Sequence, residues 1–414
     1  MKKCFFIVLL AVLVLFRVDA QAGVVKPYKT LKAEAKAEAV KKAAEANKQR
    51  EAEKPTDPEE WDYWDDYEYT WEDFYDEPDD DVYNINRELR ETGYAKLVKG
   101  ATYNIDWHIC IGDHNTLDAT GATLKVGGNA AMRNDWTTLK KGYDSMSNIK
   151  VKGGTWVSKS SGGYWSTSFS FSHAKNITFE NMNINTTNAK GHSIELVGCK
   201  NVTIKNCKVI AKGTPSSGCL EEQIQIDLAA GNTAPFLSGS LRDGTTCKNI
   251  TIDHCTVTGA RAVCANYTKK DGRYKNKYHD NIVVKNCTLT GLTSEALSFF
   301  NANNVTVKNN TIITKSKRTG TAYSIGCHMA IFGTKKVSAY EKGKFVVEKN
   351  TIKGGRQGFQ MCSHTKSRYG KLIIKNNKLY CKKGKGNALK VTTNASGSRS
   401  AKSVTKKGNK LYKW

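Results

Sequence analysis

The chain is poor in proline, with six residues in 414, so little in it interrupts long stretches of regular backbone. Long apolar runs are also missing after Phe5–Phe16, and no later stretch is long enough to span a bilayer. No two cysteines form a Cys-x-x-Cys pair, which removes the usual structural zinc site, and nothing else points to a metal or cofactor. Acids become scarce as well. From residue 83 onward 52 Lys plus Arg stand against 19 Asp plus Glu, a net charge of +33. A field of that sign attracts polyanions.

What the chain has in abundance is one short phrase, written eight times from residue 176 to the C-terminus. Clear copies are Asn176-Ile-Thr-Phe-Glu-Asn181, Asn201-Val-Thr-Ile-Lys-Asn206, Asn249-Ile-Thr-Ile-Asp-His254, Asn281-Ile-Val-Val-Lys-Asn286 and Asn304-Val-Thr-Val-Lys-Asn309. Looser copies start at Phe345, Leu372 and Ser403. Alternation of period two with β-branched residues predicts strands. Each copy is followed by a polar corner and a second brief strand, such as Cys207-Lys-Val-Ile210. A unit that recurs at this spacing predicts a solenoid, whose rungs bury their apolar faces only by stacking.

The first residues read as a secretion signal over 1–22. Lys2 and Lys3 precede the apolar run, and Val18-Asp-Ala20 or Ala20-Gln-Ala22 offers small residues for cleavage. An Ala/Lys/Glu-rich helical spacer follows over 23–55. Residues 56–81 form an acidic, aromatic linker, with fourteen acids and no base between 57 and 81. That linker reads either as a solvated spacer or as a mimic lying along the basic solenoid. The solenoid itself spans 82–414. An exported monomer without a transmembrane anchor is expected, with an acidic polysaccharide or anionic cell-wall polymer as partner in preference to nucleic acid.

Cys207, Cys255 and Cys287 take the same corner position in successive repeats, which predicts buried, stacked thiols. Cys219 and Cys247 flank one insertion and are the disulfide candidates.

From Val82 the pattern becomes specific. A short helix is predicted from Asn84 to Gly93, followed by Lys99-Gly-Ala-Thr-Tyr103, Asn115-Thr-Leu-Asp-Ala119 and Gly121-Ala-Thr-Leu-Lys125. Gly153-Gly-Thr-Trp156 and Phe171-Ser-His-Ala-Lys-Asn176 continue the pattern. With the Asn repeats, this resembles the pectate-lyase-like superfamily of right-handed parallel β-helices. The resemblance implies an all-β, right-handed parallel β-helix solenoid with an N-terminal capping helix.

Each rung also has a strand before the Asn phrase, as in Ser193-Ile-Glu-Leu196, Gln223-Ile-Gln-Ile226, Ala262-Val-Cys-Ala265, Ala296-Leu-Ser-Phe299 and Ser324-Ile-Gly-Cys327. Insertions follow it at 228–248, 267–280, 328–343, 362–370 and 392–402, so one corner carries the long loops. Aligning these strands on their aliphatics gives two outward columns. At mid-strand stand Glu195, Gln225, Cys264, Ser298, Gly326, Gln360 and Lys390. At the strand entrance stand His192, Glu222, Arg261, Glu295, Tyr323, Gln357 and Asn387, with Asp227 nearby.

This placement is similar to that of polygalacturonases, which set catalytic carboxylates and a histidine at strand entrances. The resemblance is positional, since the family's Asn-Thr-Asp, Asp-Asp, Gly-His-Gly and Arg-Ile-Lys signatures are absent, as is the pectate-lyase Arg-x-Pro-x-x-Arg. It implies Glu222 and Glu295 as acid and base, His192 and Asp227 beside them, and Arg261 as the uronate-binding cation. Glu222 and Glu295 stand two rungs apart, about 9.6 Å by strand spacing, near the upper edge for inverting hydrolysis. Substrate-binding candidates are Glu195, Gln225, Ser298, Tyr323, Gln357, Gln360 and Lys390. A β-elimination route and a non-catalytic binding face remain open beside hydrolysis. His173 and His254 are expected to cap or stack, while His279, His328 and His364 fall on inserted loops within reach of a substrate. A stripe of Lys205, Lys285, Lys308 and Lys375, interrupted by Asp253 and Glu348, reads as edge protection or as a polyanion dock.

Overall fold

The structure, a computed structural model, describes residues 80–414 except 128–131, 159–166, 187–191, 212–220, 235, 270 and 318–321. The expected signal and spacer, and all but the last two residues of the acidic linker, therefore lie outside the described residues, as does Cys219.

Three all-parallel sheets run the length of the described chain, with ten strands in the first and eleven in each of the others. A rung contributes one strand to each, as Ile194–Val197, Lys200–Lys205 and Lys208–Ala211 show. Every strand pairs with its counterpart one coil away, and no strand pairs with its neighbour in sequence. Inside the prism like stacks on like. Ile177, Val202, Ile250, Ile282, Val305, Phe345 and Leu372 form one continuous register in the second sheet. All seven are essentially inaccessible to solvent. Each such side chain contributes roughly 2 kcal/mol on burial, and only a neighbouring coil can supply that burial.

The helix expected from Asn84 spans Asp80–Thr92, so it begins four residues earlier. Val82, Ile85 and Leu89 form its buried stripe. Gly93, at φ 74°, turns the chain out of it. Its polar side chains cap the open edge of the first coil. Asn86 brackets the strand Ile109–Ile111, accepting from the Cys110 N–H and donating to the His108 carbonyl, both at 2.9 Å. Asp81 accepts the Asn104 N–H at 2.8 Å. Edge groups that could recruit another chain are thereby satisfied.

The recurring asparagines have a geometric reason. Asn148, Asn176, Asn201, Asn249 and Asn281 all sit at φ between 55° and 58°, where Asn is tolerated better than other side chains. Their amides then form a ladder, each Nδ2 donating to the Oδ1 one coil below, at 2.8–3.0 Å. The corner after the phrase is left-handed too, at Asn181, Asn206, His254, Asn286, Asn309, Lys349 and Asn376.

Cys207, Cys255 and Cys287 are buried and stacked as expected. Toward the C-terminus the same corner passes to a buried amide ladder. The Cys287 N–H donates to Asn310 Oδ1, and Asn310, Asn350, Asn377 and Asn409 continue the chain of bonds. The disulfide candidate Cys219–Cys247 cannot be followed at Cys219, which lies outside the described residues. Cys247 is a free, buried thiol that donates to the Leu196 and Asp227 carbonyls, both at 3.3 Å.

The lysine stripe is a charge ladder. Its full column runs Lys96, Asp118, Lys152, Glu180, Lys205, Asp253, Lys285, Lys308, Glu348, Lys375 and Lys407. Glu180 pairs with Lys205 at 2.8 Å, Asp253 with Lys285 at 3.2 Å, and Glu348 with Lys375 at 3.4 Å. Acids placed at intervals in the same column neutralise the cations beside them.

Among the described residues, no helix is long and apolar enough to cross a membrane.

Candidate functional site

The first sheet carries the candidate residues, and its outer face is not open to solvent as the sequence suggests. Inserted segments fold back over it. Val197 packs beneath Ala229, Ala234 and Leu237, and Cys264, Phe300 and Cys362 lie beneath Tyr267 and Phe332. Glu222 is 5% exposed, Arg261 5%, Glu295 1% and Asp227 0%.

Register brings the expected neighbours together in part. Glu222 pairs with Arg261 across one rung, and Val263 with Leu297 puts Glu295 on the next. Arg261 joins the two acids, with Nη1 2.6 Å from Glu222 Oε1 and Nη2 2.9 Å from Glu295 Oε2. Its guanidinium also donates to Ser294 Oγ at 3.3 Å and lies 5.5 Å from the Phe300 ring centre. Arg261 thus serves two carboxylates of its own chain. His192 donates from Nδ1 to the Glu222 backbone carbonyl at 2.7 Å and stands 3.8 Å from its carboxylate.

Further along, the alignment slips. Ser298 pairs with His328, which pairs with Gln360, so His328 and not Gly326 fills the mid-strand column. Ile325 faces Gln357 where Tyr323 was expected. Tyr323 lies half-buried in the 3-10 turn Ala322–Ser324. His328 and Cys362, assigned from the sequence to inserted loops, belong to the strands Ile325–Ile331 and Gln357–Ser363. His279 is likewise in a strand and buried, its ring bonded to the Cys247 N–H and the Asn266 carbonyl. His173 is held between the Gly142 and Leu241 carbonyls, in keeping with a capping role. Of the remaining binding candidates, Gln225, Ser298 and Gln357 are buried, Gln360 is half-buried, and Lys390 is exposed.

The carboxyl environments diverge sharply. Burial holds Asp227 well above the usual carboxylate range, and the charges of Glu222 and Glu195 push the same way. Neither Asp227 carboxyl oxygen has a hydrogen bond of good geometry among the described residues, and only the nearby Asn266 amide favours its charged form. Burial also raises Glu195, although His192, a 2.7 Å bond from Ser170 and Arg133 oppose it. Glu295 is the opposite case. Burial alone would raise it, but Arg261 and His328 outweigh that and bring it below the carboxylate range. Three carboxyls on two adjacent rungs therefore stand close enough to repel, two of them favouring the protonated form, beside a fourth that is fixed as a charge.

Among the described residues, no group of three His, Cys, Asp or Glu side chains is placed to hold a metal ion.

No protein-family model matches the chain, and no curated protein matches its sequence. Solved structures are similar to it at low identity. The Streptococcus pneumoniae surface adhesin PfbA is similar at a TM-score of 0.49 and 15% identity, over 80% of this chain and 86% of that one. The A-module of the Azotobacter vinelandii mannuronan C-5 epimerase AlgE4 is similar at 0.34 and 11%, over 72% and 89%. An iota-carrageenase complexed to iota-carrageenan fragments is similar at 0.30 and 14%, over 60% and 51%. On its own three parallel sheets and in-register coils, the chain is a right-handed parallel β-helix repeat protein of the kind the pectate-lyase-like resemblance implies.

Proposed function

We propose that the chain is an exported, carbohydrate-associated β-helix protein that binds an acidic polysaccharide over the first sheet and cleaves it. The observation that carries this reading is the Asp227 carboxyl, fully buried beside Glu222 and Glu195 with no well-formed hydrogen bond to hold it. Folding gains nothing from such a group, and strained carboxyl clusters are characteristic of sites of chemistry. In this reading Asp227 is the acid that protonates the leaving glycosidic oxygen. Glu222, oriented by Arg261 and His192, activates water. Glu295 fixes the guanidinium between them. The net charge of +33 over residues 83–414 draws the polymer in.

A second reading, a binding face without turnover, is favoured by the burial of the same residues and by the closed Glu222–Arg261–Glu295 ion triad. The two separate on turnover. The protein is incubated with a panel of uronate polymers while reducing ends and the absorbance of unsaturated products are followed. Activity lost in both Glu222→Gln and Asp227→Asn, with binding kept, supports cleavage. Binding without turnover in the wild type supports the second reading, and neither binding nor turnover removes both.

A further inference from the structure

Further along the same sheet, the free oxygen of Glu295 leads to two side chains that the carboxyl cluster does not use. Cys362 Sγ lies 3.5 Å from His328 Nε2, and His328 Nδ1 lies 3.2 Å from Glu295 Oε1. The other Glu295 oxygen is held by Arg261 at 2.9 Å and by the Ser294 hydroxyl. A nucleophile, an imidazole and an anchored carboxylate, each within reach of the next, are the parts of a covalent acyl-transfer site. We propose that Cys362, His328 and Glu295 form a cysteine nucleophile site that takes an ester-linked acyl group.

The surroundings suit that chemistry. Phe300, Ala330 and Cys264 wall the thiol with apolar surface, with Tyr267 and Phe332 partly exposed at the edge. Exposed His364 stacks on Phe332 at 4.6 Å and puts its Nε2 3.7 Å from the sulfur, so only one imidazole ring separates the buried thiol from solvent on that side. Burial by itself pushes the thiol up, but His328 and His364 bring it down to about 6. Burial pushes His328 down, and Cys362 with Glu295 brings it up to about 9. The resting pair is a thiolate and an imidazolium. Cys264, the other thiol in the cluster, is held well up by burial and is no competitor.

The step balances without a co-reactant. The Cys362 thiolate adds to the ester carbonyl carbon, the C–S bond forms, and the C–O bond breaks. The departing alkoxide takes the proton from His328 Nε2. Neutral His328 then deprotonates water, which attacks the thioester carbon. The C–S bond breaks, the carboxylic acid leaves, and the proton stays on His328. Glu295 and Arg261 are positioning residues here. The site shares Glu295 and Arg261 with the reading that uses Glu222 and Asp227, but its nucleophile and base are its own, and a probe without sugar keeps the two apart.

The test uses the full chain with p-nitrophenyl acetate, followed by mapping of the acetylated cysteine. The expected result is a burst of one p-nitrophenolate per chain with the acetyl group on Cys362. Iodoacetamide alkylation of Cys362 in the wild type should rise with an inflection near pH 6. In His328→Gln the inflection should return to the free-thiol range, slowing alkylation about thirtyfold at pH 7. Acetyl on other cysteines and not Cys362, or a wild-type inflection near that of a free thiol, overturns the proposal. An unshifted profile in a folded His328→Gln does the same. The wild-type measurements decide the matter even if the variant does not fold.

Discussion

Arg261 and Glu222 meet at 2.6 Å on neighbouring rungs, both buried, and the other arm of the same guanidinium holds Glu295. Removing the cation strands two carboxylates in a medium that cannot solvate them. Arg261→Met should therefore destabilise the coil by about 3–5 kcal/mol. Adding Glu222→Gln and Glu295→Gln to that variant should recover much of the loss. Urea midpoints of the single and triple variants check both.

Asp227 works against the fold at neutral pH. Its folded-state pKa is raised, so its favourable contribution is complete below the unfolded value of about 3.9 and declines as pH rises toward the folded value. Asp227→Asn removes that titration. The variant should match the wild type near pH 4 and exceed it increasingly toward pH 8, by thermal unfolding across that range. If Asp227 is a catalytic acid, the more stable variant is the inactive one.

Two asparagine ladders should respond differently. Asn350 is buried, and its amide serves Asn310, Asn377 and the Val307 carbonyl. Asn350→Ala should cost about 2–4 kcal/mol by orphaning buried groups. Asn201 is exposed, at φ 55°. Asn201→Gly should cost about 1 kcal/mol, and Asn201→Ala about 1–2 kcal/mol more, because only glycine accepts that φ freely. Denaturant titration ranks all three.

The second-sheet lysines should matter little to ligand binding. Lys285 is paired with Asp253 at 3.2 Å, and Lys308 faces Glu348 at 3.9 Å. Lys285→Gln combined with Lys308→Gln should change affinity for polygalacturonate less than twofold. Raising salt should weaken the wild type steeply, through the net charge of the whole coil. Binding by calorimetry at two salt concentrations measures both effects.

The coil was legible because its signal is redundant. Val202, Ile250 and Ile282 had to face inward, and the register confirms it. The Asn phrase was visible without its cause, since a left-handed φ leaves no mark beyond the residue it selects. At 323–328 the reading failed for a definite reason. Ile325, Cys327 and Met329 alternate on one face, and a slip of two residues keeps every aliphatic pointing inward. Pattern alone cannot detect such a slip, so His328 was placed in a loop and its approach to Cys362 went unseen. Burial of the site was equally hidden, because loop length says nothing about where a loop lies down.

Asn309 repeats Asn286 after 23 residues, and its amide reaches back to it at 3.2 Å. A segment bounded by two such matching positions behaves like a link in a chain. Excising residues 287–309 would join Asn286 to Asn310 and bring the flanking turns face to face with compatible seams. The coil could thus be shortened, or lengthened by duplication, a full turn at a time, although this particular turn carries Glu295, the carboxylate on which both Arg261 and His328 rest.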